Sequence, residues 1–171
     1  MGVTTSSTVA ATYEPIATQT ISGTSTSSIT FGSGNTLTQA YTDLVLVSQG
    51  LITTAGYATV RFNGDSGSNY SRTYVQGDGS SAASARSSNA TENYISLSTG
   101  TQSVSIVQFF NYTNSNVYKT SINRDNNPSS ATMAQVNLWR NTNAITQITI
   151  AAGSGNFGNG LTFTLYGIKA A

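Results

Sequence analysis

The sequence predicts an all-β fold: an antiparallel two-sheet β-sandwich, jelly-roll-like, with about ten to eleven short strands. Three observations carry this expectation. Short runs rich in Val, Ile, Thr, Tyr and Phe recur along the chain, and these residue types suit a pleated, half-buried surface. Clusters of Gly, Asn, Asp and Ser separate the runs at roughly 8–12-residue spacing, the rhythm of sandwiches and barrels. No 20–50-residue internal repeat is present, which disfavours a solenoid or propeller.

Taken in order, residues 1–12 are small and polar without periodicity and predict a flexible N-terminal arm; residues 13–171 are then a single β-sandwich domain. Ile16 to Ile21 alternates, and Ser28-Ile29-Thr30-Phe31 follows. Asp43-Leu44-Val45-Leu46-Val47 is continuously apolar after its first residue, as in a strand covered on both faces. Tyr57 to Phe62, Tyr70 to Val75, Tyr94 to Leu97 and Val104 to Phe109 are the next strands. Val117 to Ile122, Val136 to Trp139, Ile145 to Ile150 and Leu161 to Tyr166 complete the set. Ser80 to Ala90 has five serines and no apolar spacing, so it is expected to be a loop. Between runs, Asn63-Gly64-Asp65-Ser66-Gly67, Gly77-Asp78-Gly79 and Gly153-Ser154-Gly155-Asn156 supply residues that tolerate positive φ. Pro15 and Pro128 fall near a strand start and in a loop, where a missing N–H does little harm. The expected core comprises Ile29, Leu44, Leu46, Val60, Phe62, Ile95, Val107, Phe109, Leu138, Ile148, Phe163 and Leu165.

Composition removes several function classes. The 171 residues include 7 Lys+Arg and 6 Asp+Glu, and neither Cys nor His. A disulfide framework, a Cys/His zinc site, a thiol nucleophile and a Ser-His-Asp triad are therefore excluded. A net charge of +1 without a basic run argues against nucleic acid, because neutralising phosphates needs clustered Lys and Arg. No stretch of about 20 apolar residues is present to insert into a membrane as a helix. Ser, Thr and Asn number 25, 27 and 16, so hydroxyls and amides replace charge as the polar surface. Aromatic and β-branched residues are too plentiful for a disordered chain.

Candidate chemistry is sparse. Asp65 and Asp78 flank one hairpin and could form a glycosidase pair, but each sits beside glycine, where turn formation is the simpler role. Asp65-Ser66-Gly67-Ser68-Asn69 spaces oxygen ligands like part of a calcium loop yet lacks further carboxylates. No helix-forming segment follows the glycine-rich 153–158 stretch, so it lacks the helix N-terminus that a phosphate loop needs. Tyr57, Tyr70, Tyr74, Tyr112 and Trp139 are candidate platforms for a sugar ring; the competing role for each is a core position with its polar atom at the rim. Arg140 is expected to hold a loop or subunit contact. Arg61 should face away from Val60 and Phe62. No cofactor or metal is expected.

Several phrases together carry a resemblance. They are Tyr41-Thr42-Asp43-Leu44-Val45-Leu46-Val47, Arg61-Phe62-Asn63-Gly64-Asp65-Ser66-Gly67-Ser68-Asn69-Tyr70, Leu138-Trp139-Arg140-Asn141-Thr142-Asn143-Ala144-Ile145-Thr146, Gly153-Ser154-Gly155-Asn156-Phe157 and Phe163-Thr164-Leu165-Tyr166-Gly167-Ile168. In this order they resemble a β-sandwich module of tailed-bacteriophage virion proteins, of the capsid-decoration, head-fibre and tail-fibre type. The resemblance spans about Tyr13 to Ile168. It implies a non-enzymatic part of the virion exterior that is homo-oligomeric, with a trimer favoured. The implied partner is the major capsid protein or another virion protein, and for a tail-tip module a host-surface glycan. It brings no catalytic residues. Capsid decoration or a head fibre is the first expectation; a carbohydrate-binding receptor-recognition module is the second.

Overall fold

The computed structural model describes residues 12–34, 36–54, 56–128 and 130–169. The expected arm, residues 1–12, thus falls outside them except for Thr12. The described residues form β1 (Tyr13–Thr20), β2 (Ser28–Phe31), β3 (Asp43–Gly50), β4 (Tyr57–Phe62), β5 (Tyr70–Gly77) and β6 (Ala82–Ala90). These are followed by β7 (Asn93–Ser96), β8 (Ser103–Phe110), β9 (Lys119–Asn127), β10 (Ala131–Trp139), β11 (Ile148–Ala152) and β12 (Thr162–Ile168). No helix occurs among them.

The strands build two antiparallel sheets of unequal width. The larger has the order β1-β12-β3-β8-β9-β10-β5-β6, the smaller β2-β11-β4-β7. Without the hairpins β5–β6 and β9–β10, the orders reduce to β1-β12-β3-β8 and β2-β11-β4-β7. Along those eight strands the chain changes sheet at every step except β4 to β7. The two hairpins lengthen only the large sheet, which therefore extends past the smaller one.

Period-two alternation places the core. Ala58, Val60 and Phe62 of β4, Val107 and Phe109 of β8, and Phe163 and Leu165 of β12 all point between the sheets, in one apolar cluster. The Phe62 ring meets Phe109 edge-on at 5.4 Å and Trp139 at 5.3 Å, joining the two layers. Eleven of the twelve expected core residues are buried. The exception is Leu138, which is half-buried on the outer face. Its neighbour Trp139 takes the inward position, and adjacent strand residues point to opposite faces.

The inner face of the large sheet turns polar beyond β8. Ser105, Ser121, Asn123, Asp125, Gln135 and Asn137 are buried there. They face β7, the edge strand of the small sheet. Asn123 Nδ2 donates to the Tyr94 carbonyl at 2.9 Å, as does Gln135 Nε2, and the Asp125 carboxylate accepts from the Ser96 amide. Side chains of one sheet thus satisfy the open edge of the other, removing a ladder that would otherwise invite strand addition.

Ser80–Ala90 is a correction: residues 82–90 are the edge strand β6, not a loop. The strand pairs with β5 from Tyr70↔Ala90 to Gly77↔Ala82. Most of its side chains are exposed, so burial does not impose an apolar pattern on it. The hairpin is held instead by Asp78, whose Oδ1 accepts from the Ser80 and Ser81 amides at 2.8 and 2.7 Å. At the β4–β5 turn Asn63 and Gly64 both have positive φ, 53° and 71°, and the Asp65 amide donates to Phe62 O at 2.9 Å. That is the geometry of a tight turn with both central residues at positive φ, and here it carries the chain from the small sheet to the large one, since β4 and β5 belong to different sheets.

Candidate functional site

The overhang of the wide sheet creates a ledge. Inward-facing Arg72 and Tyr74 of β5 and Met133 and Gln135 of β10 lie beside β7, where the small sheet ends. On β7 and the adjoining β4, Tyr94 and Tyr57 point to the outer face of the small sheet. Their strand register makes them diagonal neighbours, Thr59 being opposite Tyr94 and Ser96 opposite Tyr57. Such pairs are within reach for aromatic rings. The rings stack at 4.8 Å with 23° between planes. Between ledge and edge lies a cleft of about 250 Å³ lined by Gly56, Tyr57, Arg72, Tyr74, Tyr94, Ser96, Met133 and Gln135.

Arg72 is the one charged residue in that lining. Its Cζ sits 3.4 Å from the Tyr94 ring centroid and 6.0 Å from that of Tyr74. Among the described residues it has no hydrogen-bond partner and no ion pair, and its Nε is buried without an acceptor. Burial lowers the guanidinium's pKa, while the nearby Tyr94, Tyr74, Tyr57 and Glu92 act in the opposite direction. Arginine stays protonated in proteins regardless, so the cleft holds a full positive charge. Tyr57 also fills the space a side chain at Gly153 would need: a Cβ there would lie 2.2 Å from the ring.

The sequence-predicted contacts divide between this cleft and the core. Tyr57 and Tyr74 line the cleft. Tyr70, Tyr112 and Trp139 are at most 1% exposed and closed to a ligand. The Tyr70 hydroxyl accepts from the Phe62 amide and donates to Asp65 O, both at 3.1 Å, and burial pushes its pKa up to about 12. Tyr112 donates to Thr38 O, and burial raises its pKa as well. Trp139 Nε1 donates to Asp65 Oδ2 at 2.7 Å. Arg140 ties the segment after β10 to β5, β6 and the loop before β5, donating to Ser71 Oγ at 2.6 Å, Asn89 Oδ1 at 2.8 Å and Ser68 O at 2.5 Å. Arg61 turns outward to Glu92 at 2.6 Å.

Asp65 and Asp78 do not flank one hairpin: they are turn anchors at opposite ends of β5, the first in the connection from the small sheet and the second in the β5–β6 hairpin. Asp65 accepts from Gly67 N at 2.8 Å, Asn69 Nδ2 at 2.9 Å and the Trp139 indole. Burial works against its carboxylate, but those bonds together hold its pKa below the ordinary value. Asp78 is held lower still by the Ser80 and Ser81 amides and hydroxyls.

Residue choice alone did not single out Arg72, Tyr94, Met133 and Gln135. One signal for Arg72 was present: it alternates with Tyr70 and Tyr74, which places all three on one face of β5.

A second feature is the outer face of the large sheet. The register aligns Val47, Ile106, Arg124, Ala134 and Val75 on one rung and Val45, Gln108, Ile122, Val136 and Thr73 on the next. Val75, Val136 and Ile122 are 58%, 52% and 45% exposed. Arg124 lies on the first rung, and the second continues to Arg86 of β6, opposite Thr73.

No family model, curated protein or solved structure matches the chain.

Proposed function

We propose that this chain is a non-enzymatic structural protein of a tailed-bacteriophage particle, a capsid decoration or head-fibre subunit that docks on the major capsid protein and self-associates. Three copies are the expected closure. The phrase resemblance supports the phage setting. The reduced strand orders β1-β12-β3-β8 and β2-β11-β4-β7 support a jelly-roll reading, an architecture found in capsid and lectin domains.

The observation that carries the reading is the outer face of the eight-stranded sheet. Its exposed Val and Ile, on rungs whose charges are Arg124 and the edge-strand residue Arg86, suit contact with another copy of the same chain. Seven inter-strand gaps of about 4.8 Å and a strand length of about 25 Å make it roughly 800 Å², the per-partner area of a standard protein interface. Sedimentation velocity on the purified protein tests this: an oligomer is expected, and a monomer at tens of micromolar contradicts it. Immunogold labelling of particles tests the placement. Label over the heads agrees with decoration, whereas label confined to the tail tip favours receptor binding.

The second reading, carbohydrate recognition, is favoured by one observation. Tyr57, Tyr74, Arg72 and Gln135 converge on a cleft in which an apolar wall meets hydrogen-bonding groups, the mixture typical of small-ligand sites.

A further inference from the structure

We infer that the cleft between β7 and the overhanging β5–β10 ledge binds one carboxylate-bearing sugar unit, with Arg72 as the carboxylate anchor. The inference rests on the carbohydrate reading and narrows it to acidic sugars.

The argument starts from the unused donors of Arg72. A guanidinium carries five N–H groups in a fixed fork that matches a carboxylate with two parallel bonds. Here the protein supplies no acceptor for any of them among the described residues, and the Nε is buried without a partner. A partly desolvated charge of this kind gains more from an incoming anion than a surface arginine does, because there is less water to displace and less screening. Stacking on Tyr94 at 3.4 Å holds the fork in place before the ligand arrives. That lowers the ordering cost of binding.

Charge count selects the anion. Arg72 is the only charged residue in the lining, and the nearby Glu92 is already paired with Arg61 at 2.6 Å. One unopposed positive charge matches a monoanionic carboxylate and leaves a phosphate dianion half unneutralised. Size selects the carrier. A volume of about 250 Å³ is below the usual span of roughly 300–1,000 Å³ for drug-sized ligands, so it suits a single ring. The Tyr57 and Tyr94 ring faces are engaged with each other, so the apolar contact to the ring falls to Tyr74 and Met133. Gln135 already donates to Tyr94 O through Nε2, which leaves its Oε1 to accept from a sugar hydroxyl.

The test is ligand-observed NMR and calorimetry on the full chain with glucuronate, its uncharged methyl ester, glucose, acetate and inorganic phosphate. Glucuronate is expected to bind with a millimolar or tighter Kd, at least tenfold tighter than methyl ester or glucose, and to weaken as salt rises. Arg72→Gln should lose this preference, and Arg72→Lys should keep only part of it. Equal binding of glucuronate and glucose would overturn the acidic class and leave sugar recognition standing. Binding of none of the sugars would overturn both. Acetate or phosphate binding as tightly as glucuronate would overturn the acidic-sugar assignment. The comparisons among ligands use the unaltered protein, so the inference stays testable even if the Arg72 variants do not fold.

Discussion

Replacing Asp125 by asparagine takes a charge out of the polar layer beneath β7 and changes little else. Asp125 is only 2% exposed. It accepts hydrogen bonds from the Ser105 hydroxyl and the Ser96 amide, but its Oδ2 is buried with no partner. Burial pushes its pKa up to about 6, against those two bonds, from an ordinary value of 3.8. A folded pKa above the unfolded one means that the fold prefers the protonated acid. This contribution is therefore fully present below pH 3.8, is lost as pH rises through about 6, and stays lost above that. The gap between the two values is worth about 3 kcal/mol at neutral pH. Asparagine keeps an acceptor for Ser105 and Ser96 and carries no charge. Asp125→Asn is accordingly expected to be more stable than the parent at pH 7.5 by up to about 3 kcal/mol, or up to about 6–12 °C in Tm for a chain of this size. The advantage should shrink towards zero near pH 4. Circular-dichroism melts of both proteins from pH 4.5 to 8 measure this directly. The absence of His and Cys keeps the window free of other side chains that ordinarily titrate there. A parent whose stability is flat or rising between pH 4.5 and 7, or a variant less stable than the parent at pH 7.5, would refute the reasoning.

Other expectations follow from the same structure. Asp65→Ala strips acceptors from the buried Trp139 indole, Asn69 and the Gly67 amide, and should destabilise the fold by about 2–4 kcal/mol in urea unfolding; a loss below 0.5 kcal/mol would contradict its role as anchor. The depressed pKa values of Asp65 and Asp78 act in the opposite sense to that of Asp125: their contribution is present above about pH 4 and lost as pH falls, so Tm is expected to turn and fall below pH 4. Gly153→Ala places a Cβ 2.2 Å from the Tyr57 ring, so the Tyr57–Tyr94 stack should open, visible as changed near-ultraviolet circular dichroism; an unchanged spectrum counts against the packing described. Val136→Lys puts a charge on an exposed position of the outer face, 52% open, and should dissociate the proposed oligomer in sedimentation velocity with Tm changed by only a few degrees.

Much of the fold was legible because strand alternation is a local property. Val60 and Phe62, or Phe163 and Leu165, announce an inward face within a few residues, and Asn63-Gly64 announces its turn. Edge strand β6 was not legible, because an exposed strand of Ala and Ser has no buried face to leave a pattern. The extended β10 was half legible for a related reason. Its Met133, Gln135 and Asn137 alternate with exposed residues, but two of these inward residues are amides: Gln135 bonds the edge of the facing sheet, and Asn137 bonds Ser121 and Asn123 of its own sheet.

By itself, then, the sequence determined the fold class, the main apolar core and several of the tight turns, all of which arise from neighbours along the chain. It also determined that no thiol, histidine or basic cluster exists to do chemistry. Tertiary structure decided which tyrosines are core and which line a cleft. Tyr70 and Tyr74 lie on the same face of β5, yet one packs against Trp139 and the other reaches the ledge. That difference depends on where the smaller sheet stops, and this is set by the long-range pairings β10–β5 and β4–β7. Arg72 meets Tyr94 from the opposite sheet for the same reason. A contact across two sheets leaves no periodic trace in either strand.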